Sequence, residues 1–416
     1  MNFYDKSNLF YKKVEEEYLS RDGGNSVFDY VGYCCFGPLV RGFLRWINSQ
    51  VNNEQINCIL FFSRDGYFMK QMYSLMFEED SPRSFYFYAS RRALQVASIH
   101  LNPNYVDVMK SMFIPRRITY KWLIERWGLD SILYVDELAK FGLNLGDYVD
   151  SVSILENDMV KKVYAQLKDD IITNSNNEFD AFKAYVDQFG LEGKIAVVDI
   201  GWYGNMQNSF ARLLNALGNN AEVIGYYLGV VPQSEKQKEN CMHGYLFQAG
   251  KNELLYETAR YLCTLLELCF MAPHGSLKKY VLCDQGVELE DFEYLDTLTS
   301  EKVFSLQESA KDYISKHKNE DTDTIDPIIC FGQFYKAFMR PTKELAICFG
   351  DLEITEPYTM RIAEKIQIFE MIAHPSIVRE KYINSSWKMG FLKRLMRIPL
   401  PYEELVIISK KVYKKQ

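Results

Sequence analysis

A chain of 416 residues that is 48% apolar and 25% charged can bury a sizeable core, enough for two domains or for one α/β domain with an embedded cap. Its net charge of −7 excludes a nucleic-acid binder of the broadly electrostatic kind. The nine cysteines are scattered, with Cys34-Cys35 the one adjacent pair and no CxxC, which excludes a zinc ribbon or a disulfide framework and predicts a reducing, cytoplasmic setting.

Residues 1–27 form a charged N-terminal segment without the apolar stretch of a signal peptide. From 27 to 50, Leu39, Phe43, Leu44, Trp46 and Ile47 recur at helical spacing, with Gly37-Pro38 expected to interrupt the helix. Ile56–Phe62 is an apolar run of strand length, as a buried parallel strand requires. Tyr67–Phe77 reads as a helix and Phe85–Ala89 as a second strand, so residues 28–100 open an α/β core in βαβ fashion. Residues 101–190 carry Trp122, Trp127, Leu167, Phe182 and Tyr185 in helix-type surroundings with no clear strand, and are expected to be an inserted helical cap.

The second half of the core follows over 191–283. Lys194–Ile200, Glu222–Val231 and Gly244–Phe247 read as strands, with a helix from about Gly204 to Leu217, a helix over Leu254–Met271 and a last strand candidate at Lys278–Leu282. Residues 284–416 are an acidic connector over 284–330, either a mobile stretch or a surface helix pair, then a helical C-terminal region with a basic tail. The pattern predicts a Rossmann-like open, mostly parallel sheet with an inserted helical cap and a helical C-terminal region. No run reaches the roughly 18 apolar residues of a membrane span. From Arg379 onward, Lys381, Lys388, Lys393, Arg394, Arg397, Lys410, Lys411, Lys414 and Lys415 interleave with Trp387, Phe391, Leu392, Leu395 and Met396. Such an end suits either peripheral contact with the inner face of an anionic membrane or a solvated terminal helix packed by its apolar side.

Chemistry concentrates where apolar runs stop at a carboxylate and a glycine, because ligands of open α/β sheets bind beyond the carboxyl ends of the strands. At Ser63-Arg64-Asp65-Gly66, Asp65 can hold Mg²⁺, Gly66 lets the backbone approach a phosphate and Arg64 is a bidentate phosphate donor; the alternative is an Asp that caps the next helix. Ser63 stands where haloacid-dehalogenase phosphatases carry the first Asp of Asp-x-Asp, and a serine cannot form their aspartyl-phosphate. Ser90-Arg91-Arg92 ends the second strand, suited to polyphosphate, to solvent or to a buried ion pair with Asp65. At Asp199-Ile200-Gly201-Trp202-Tyr203-Gly204-Asn205-Met206-Gln207, Asp199 is a second candidate metal carboxylate and Gly201 frees the turn for a phosphate. Trp202 and Tyr203 offer aromatic faces for an acceptor sugar, and Gln207 an amide. Glu267, among Cys263, Phe270 and Met271, suits base or ligand work if buried. His274 and Ser276, in Ala272-Pro273-His274-Gly275-Ser276, complete the set of candidate acceptor contacts.

In this order, Ser63-Arg64-Asp65-Gly66-Tyr67, Tyr88-Ala89-Ser90-Arg91-Arg92-Ala93-Leu94, Val198-Asp199-Ile200-Gly201-Trp202 with Gly204 and Met206-Gln207, and Ala272–Ser276 resemble the C-terminal module of bacterial polysaccharide-biosynthesis proteins often labelled predicted HAD-superfamily hydrolases. Gly32-Tyr33 and Gly37-Pro38-Leu39 are similar to the module's start, and the resemblance covers roughly residues 28–280. In dual-domain ribofuranosyltransferases of that group this module is a glycan phosphoribosyltransferase. The resemblance therefore implies Mg²⁺-dependent transfer of 5-phosphoribose from phosphoribosyl diphosphate, or use of another sugar phosphate, onto a glycan or lipid-linked glycan in capsule or O-antigen assembly. It also implies a separate phosphatase, since the module's Asp-x-Asp partner does not precede residue 28. The Asp-Asp-x-x-Thr-Thr-Gly-like loop of nucleotide-salvage phosphoribosyltransferases is absent from the sequence. Two other functions remain open at the level of sequence: a HAD-like hydrolase of a sugar phosphate, and a non-catalytic sugar-phosphate-binding subunit of a capsule machine.

Overall fold

The computed structural model describes residues 3–24, 26–77, 82–112, 114–115, 117–232, 242–291, 296–320, 326–354, 360–367, 370, 374, 376–396, 398, 400, 402, 404 and 406. In chain order the strands that build the site and its surroundings are β1 (Cys58–Phe62), β2 (Arg83–Phe87), β3 (Arg117–Thr119), β4 (Tyr148–Asp150), β5 (Lys194–Trp202), β6 (Glu222–Val230), β7 (Met242–Phe247), β8 (Leu277–Cys283) and β9 (Gly286–Asp291). Five of them form one all-parallel sheet in the order β2-β1-β5-β6-β7. Counted along the sheet's own strands this is 2-1-3-4-5, a doubly wound, Rossmann-like order whose direction reverses between β1 and β5.

The sheet is covered on both faces, which is why β1 is buried along its whole length and reads as a continuous apolar run. On one face Ile59, Phe61, Val198, Ile200, Tyr226 and Leu228 pack beneath helices spanning Gly37–Asn53, Gly66–Phe77 and Cys263–Phe270. On the other, Leu60, Phe62, Ile195 and Val197 meet Phe182 and Tyr185 of the long helix Asp158–Val186 and Phe210, Leu213 and Leu214 of helix Asn205–Ala216. The N-terminal part of Asp158–Val186, from Val160 to Ile171, belongs instead to the core of the inserted cap, with Trp127, Leu123 and Ile118. One helix of 29 residues thus braces the cap against the sheet.

Several local details differ from the sequence expectation. The helix over 27–50 is not broken at Gly37-Pro38: Val31–Phe36 widens into a π-helical stretch, and the α-helical part continues over Gly37–Asn53 with Pro38 just after that change of pitch, where the local hydrogen-bond ladder is already altered. The cap holds a small antiparallel pair, β3 with β4, too short to show a period in sequence. The strand at Lys278–Leu282 does not join the sheet; it pairs antiparallel with β9 and lays Leu277 and Tyr280 on the second core. The helical pattern of 254–271 is divided into Glu253–Ala259 and Cys263–Phe270.

The largest difference lies in the acidic stretch. Helix Thr297–His317 is neither mobile nor superficial, for it buries Val303, Leu306, Ala310, Tyr313 and Ile314 in the main core. It lies so close to the helix of residues 31–53 that a Cβ on Gly32 would stand 2.2 Å from the Leu306 carbonyl oxygen and one on Gly37 would stand 2.9 Å from the Tyr313 ring. The described part of the basic tail also packs inward. Trp387 is fully buried and donates its Nε1–H to Phe338 O (2.8 Å), while Arg394 donates to Asp351 Oδ1 (2.7 Å) and Ala363 O (2.7 Å). Arg397, Lys410, Lys411, Lys414 and Lys415 lie outside the described residues. Among the described residues no helix is long and apolar enough to cross a membrane.

Candidate functional site

The last rung between β1 and β5 joins Phe61 to Val198, at the reversal of strand order, the place where open α/β sheets bind their ligands. Asp65 lies three residues past the end of β1 and Asp199 is the next residue of β5, so residues far apart in sequence meet here by topology. Their carboxyl groups contact one another as a hydrogen-bonded pair. Burial, and then the Asp199 charge, hold the Asp65 carboxyl well above the usual carboxylate range, against the pull of Arg64 and Arg91. Burial also raises Asp199, to about 6, opposed by hydrogen bonds from the Ile200 N–H (2.8 Å) and from Asp65. A proton shared between the two carboxyls, with Asp65 donating, satisfies both directions.

Gly66 begins the next helix against the strand end, where a Cβ would stand 2.7 Å from the Phe61 carbonyl carbon. The positive end of helix Gly66–Phe77 therefore begins beside the pair, and helix Asn205–Ala216 begins shortly after β5. Gly201 has φ +106°, and a Cβ there would meet Tyr227 Cβ at 2.6 Å and Gly229 O at 2.7 Å. Trp202 follows with φ +80°, a conformation a bulky residue rarely adopts. Its surroundings hold it: Nε1–H donates to Glu267 Oε1 (3.0 Å), the indole stacks on Phe247 with centroids 5.9 Å apart, and its carbonyl accepts from Val231 N (2.8 Å). Such strain concentrates at functional sites. Glu267 also acts electrostatically on Asp199, so the third candidate carboxyl borders the crevice and orients Trp202. Tyr203 is 56% exposed beside it.

On the β2 side the two arginines part company. Arg91 is exposed and acts on both Asp65 and Asp199. Arg92 is 4% exposed and bound to Glu178 Oε2 (2.5 Å) and Lys278 O (2.9 Å), so its guanidinium ties the long helix and β8 to the core and does not serve a phosphate. The expected alternative of a pair with Asp65 is likewise replaced by the pair with Glu178. Ser90 is the N-cap of helix Arg91–Val96, accepting from Ala93 N (2.9 Å) while donating to Leu277 O (2.7 Å). Its hydroxyl is spent on structure. Gln207 is also turned inward, 1% exposed, with Nε2 donating to Val223 O (3.0 Å) and Oε1 accepting from Tyr227 OH (2.7 Å). Ser63 bridges the ends of β1 and β2, its Oγ donating to Ala89 O (2.8 Å) and accepting from Ala89 N (3.0 Å).

The segment 272–276 crosses the mouth of the sheet beside β2. In the neutral ring, His274 donates from Nδ1 to Gly275 O (2.8 Å), which leaves Nε2 to accept from Tyr86 OH (2.8 Å). Tyr67, Tyr86, Tyr88 and His274 form one aromatic cluster, with Tyr86 5.5 Å from Tyr67 and 5.0 Å from Tyr88 between ring centroids, and Tyr88 5.2 Å from His274. Burial raises the Tyr86 phenol, with further upward contributions from Tyr88 and Asp65. The cluster thus adjoins the carboxyl pair. Ser276 is half-buried at the end of the segment. Sequence reasoning missed Tyr67, Tyr86 and Tyr88 as site residues; Tyr86 and Tyr88 alternate with Phe85 and Phe87 along β2, and an all-aromatic run hides which side chains face the crevice.

Among the described residues no group of three or more His, Cys, Asp or Glu surrounds a common metal position. Mg²⁺ needs only one or two carboxylates when substrate phosphates and water complete its shell, so the Asp65–Asp199 donor set fits that ion. These features define an α/β protein with a carboxylate pair, nearby arginines and helix N-termini at the switch point of a doubly wound sheet. No protein-family model matches the chain, and no curated protein matches it.

Proposed function

We propose that this protein is a Mg²⁺-assisted glycosyltransferase that moves a phosphoribosyl group from phosphoribosyl diphosphate to a glycan acceptor of surface-polysaccharide assembly. The observation that carries this reading is the Asp65–Asp199 pair at the switch point, with Arg64 and Arg91 acting on it and the helix N-terminus at Gly66 beside it. That combination suits a ligand that is anionic and brings its own cation. Asp65 and Asp199 would hold the Mg²⁺, which supplies charge neutralisation for a departing diphosphate. Arg64 and Arg91 donate to the phosphate oxygens, and Glu267 orients the Trp202 ring toward a bound sugar. In the transfer, the bond between the anomeric carbon and diphosphate breaks as the acceptor hydroxyl oxygen bonds to that carbon, and the hydroxyl proton ends on the released diphosphate.

The competing phosphatase reading has little support at Ser63, because the hydroxyl in the nucleophile's place is engaged with the Ala89 backbone. The two reactions give different products. Incubation with phosphoribosyl diphosphate, Mg²⁺ and a cell-wall glycan fraction should release diphosphate, and Asp199→Asn should slow this by about 10²–10³-fold. Release of inorganic phosphate instead would identify a hydrolase, and donor binding without any turnover would identify a binding subunit.

A further inference from the structure

A groove of about 480 Å³ lies between helix Gly66–Phe77 and helix Thr297–His317, with Ala272 and Pro273 at its side. We infer that this groove is the seat of the acceptor saccharide; the inference rests on the transferase reading and assigns helix Thr297–His317 a part in substrate choice.

Three observations lead there. The groove lies close to the carboxyl pair: Tyr67 lines it and also touches Tyr86 and His274, whose cluster adjoins Asp65. An acceptor seated there would present its terminal hydroxyl along the Tyr67–Tyr86 wall. Its wall includes Ser300, whose Oγ is buried and has no hydrogen-bond partner among the described residues; a turn about χ1 would offer it to a ligand hydroxyl. Finally, its walls mix the two surfaces a sugar needs. Phe304, 61% exposed, offers a ring face to C–H groups, while Gln71 and the Glu308–Lys311 ion pair (3.7 Å) offer hydrogen bonds. A lipid tail would leave those polar groups and Ser300 stranded. Trp202 and Tyr203 then lie nearer the donor's side of the crevice, on the far strand.

Saturation-transfer NMR on the full chain with methyl glycosides of glucose, galactose, mannose, N-acetylglucosamine and rhamnose tests the assignment. At least one glycoside should receive saturation, and Phe304→Ala and Gln71→Ala should each weaken its signal severalfold. Both side chains are exposed, so an unchanged thermal melt shows that the fold is intact. Asp199→Asn should keep the signal. If no glycoside is saturated, or if the signal survives both groove substitutions, the groove is not a saccharide seat. Saccharide binding here without diphosphate release by the native enzyme would leave the groove standing and overturn the donor assignment; the reverse pattern would do the opposite.

Discussion

Two carboxyl groups in contact cannot both be charged at ordinary cost, and this gives Asp65 and Asp199 a definite pH behaviour. Because burial raises both, and the Asp199 charge raises Asp65 further, the folded protein holds protons that the unfolded chain releases near pH 4. The linked stability is therefore full below about pH 4 and is lost as pH rises through about 6, where Asp199 ionises in the folded state. Melting curves of the native protein and Asp199→Asn should diverge over that window, the native protein losing stability with rising pH and the variant losing less. On the proposed reading, a bound divalent cation would replace the shared proton. Isothermal titration of Mg²⁺ together with a non-hydrolysable diphosphate analogue should show proton release and weaker binding below about pH 6. The neighbouring arginines give a second contrast. Arg92→Ala strands Glu178 in the interior and should cost about 3–5 kcal/mol, whereas Arg91→Ala should change stability by less than about 1 kcal/mol while weakening diphosphate binding about tenfold or more. Denaturant titration and ligand titration read the two effects separately.

At the scale of elements, the strands and their order of appearance were legible because buried parallel strands are apolar along their length, as Cys58–Phe62 and the run ending at Val198 are. The carboxylates that follow them could be placed on the same edge from the parallel pattern alone. What could not be read was the fate of each polar side chain. Ser90, Arg92 and Gln207 sit in the same motifs as Arg91 and Asp199, yet local caps and buried pairs consume them, and only neighbours distant in sequence (Leu277, Glu178, Val223) decide this. Close helix packing is equally invisible in a single sequence. Gly32→Ala would ordinarily stabilise a helix interior by about 0.5–1 kcal/mol. Here its Cβ meets the Leu306 backbone, and the expected outcome is a loss of about 1–3 kcal/mol in a denaturant melt.

For the molecule as a whole, the acidic stretch from 284 looked solvent-facing because its charges are plentiful, while the apolar stripe of Val303, Leu306, Ala310 and Tyr313 is spread among them. That stripe closes the main core, and its outer turns wall the groove beside Tyr67. The two halves of the site come from either side of the cap: one carboxylate precedes it in the chain and the other follows it. A ribosome-bound chain that has released β1 and the cap but not β5 therefore owns a lone Asp65, without a second ligand for a cation. The carboxyl pair is complete only when β5 takes its place beside β1, so a chain stalled before β5 has neither the shared proton nor the paired carboxyls.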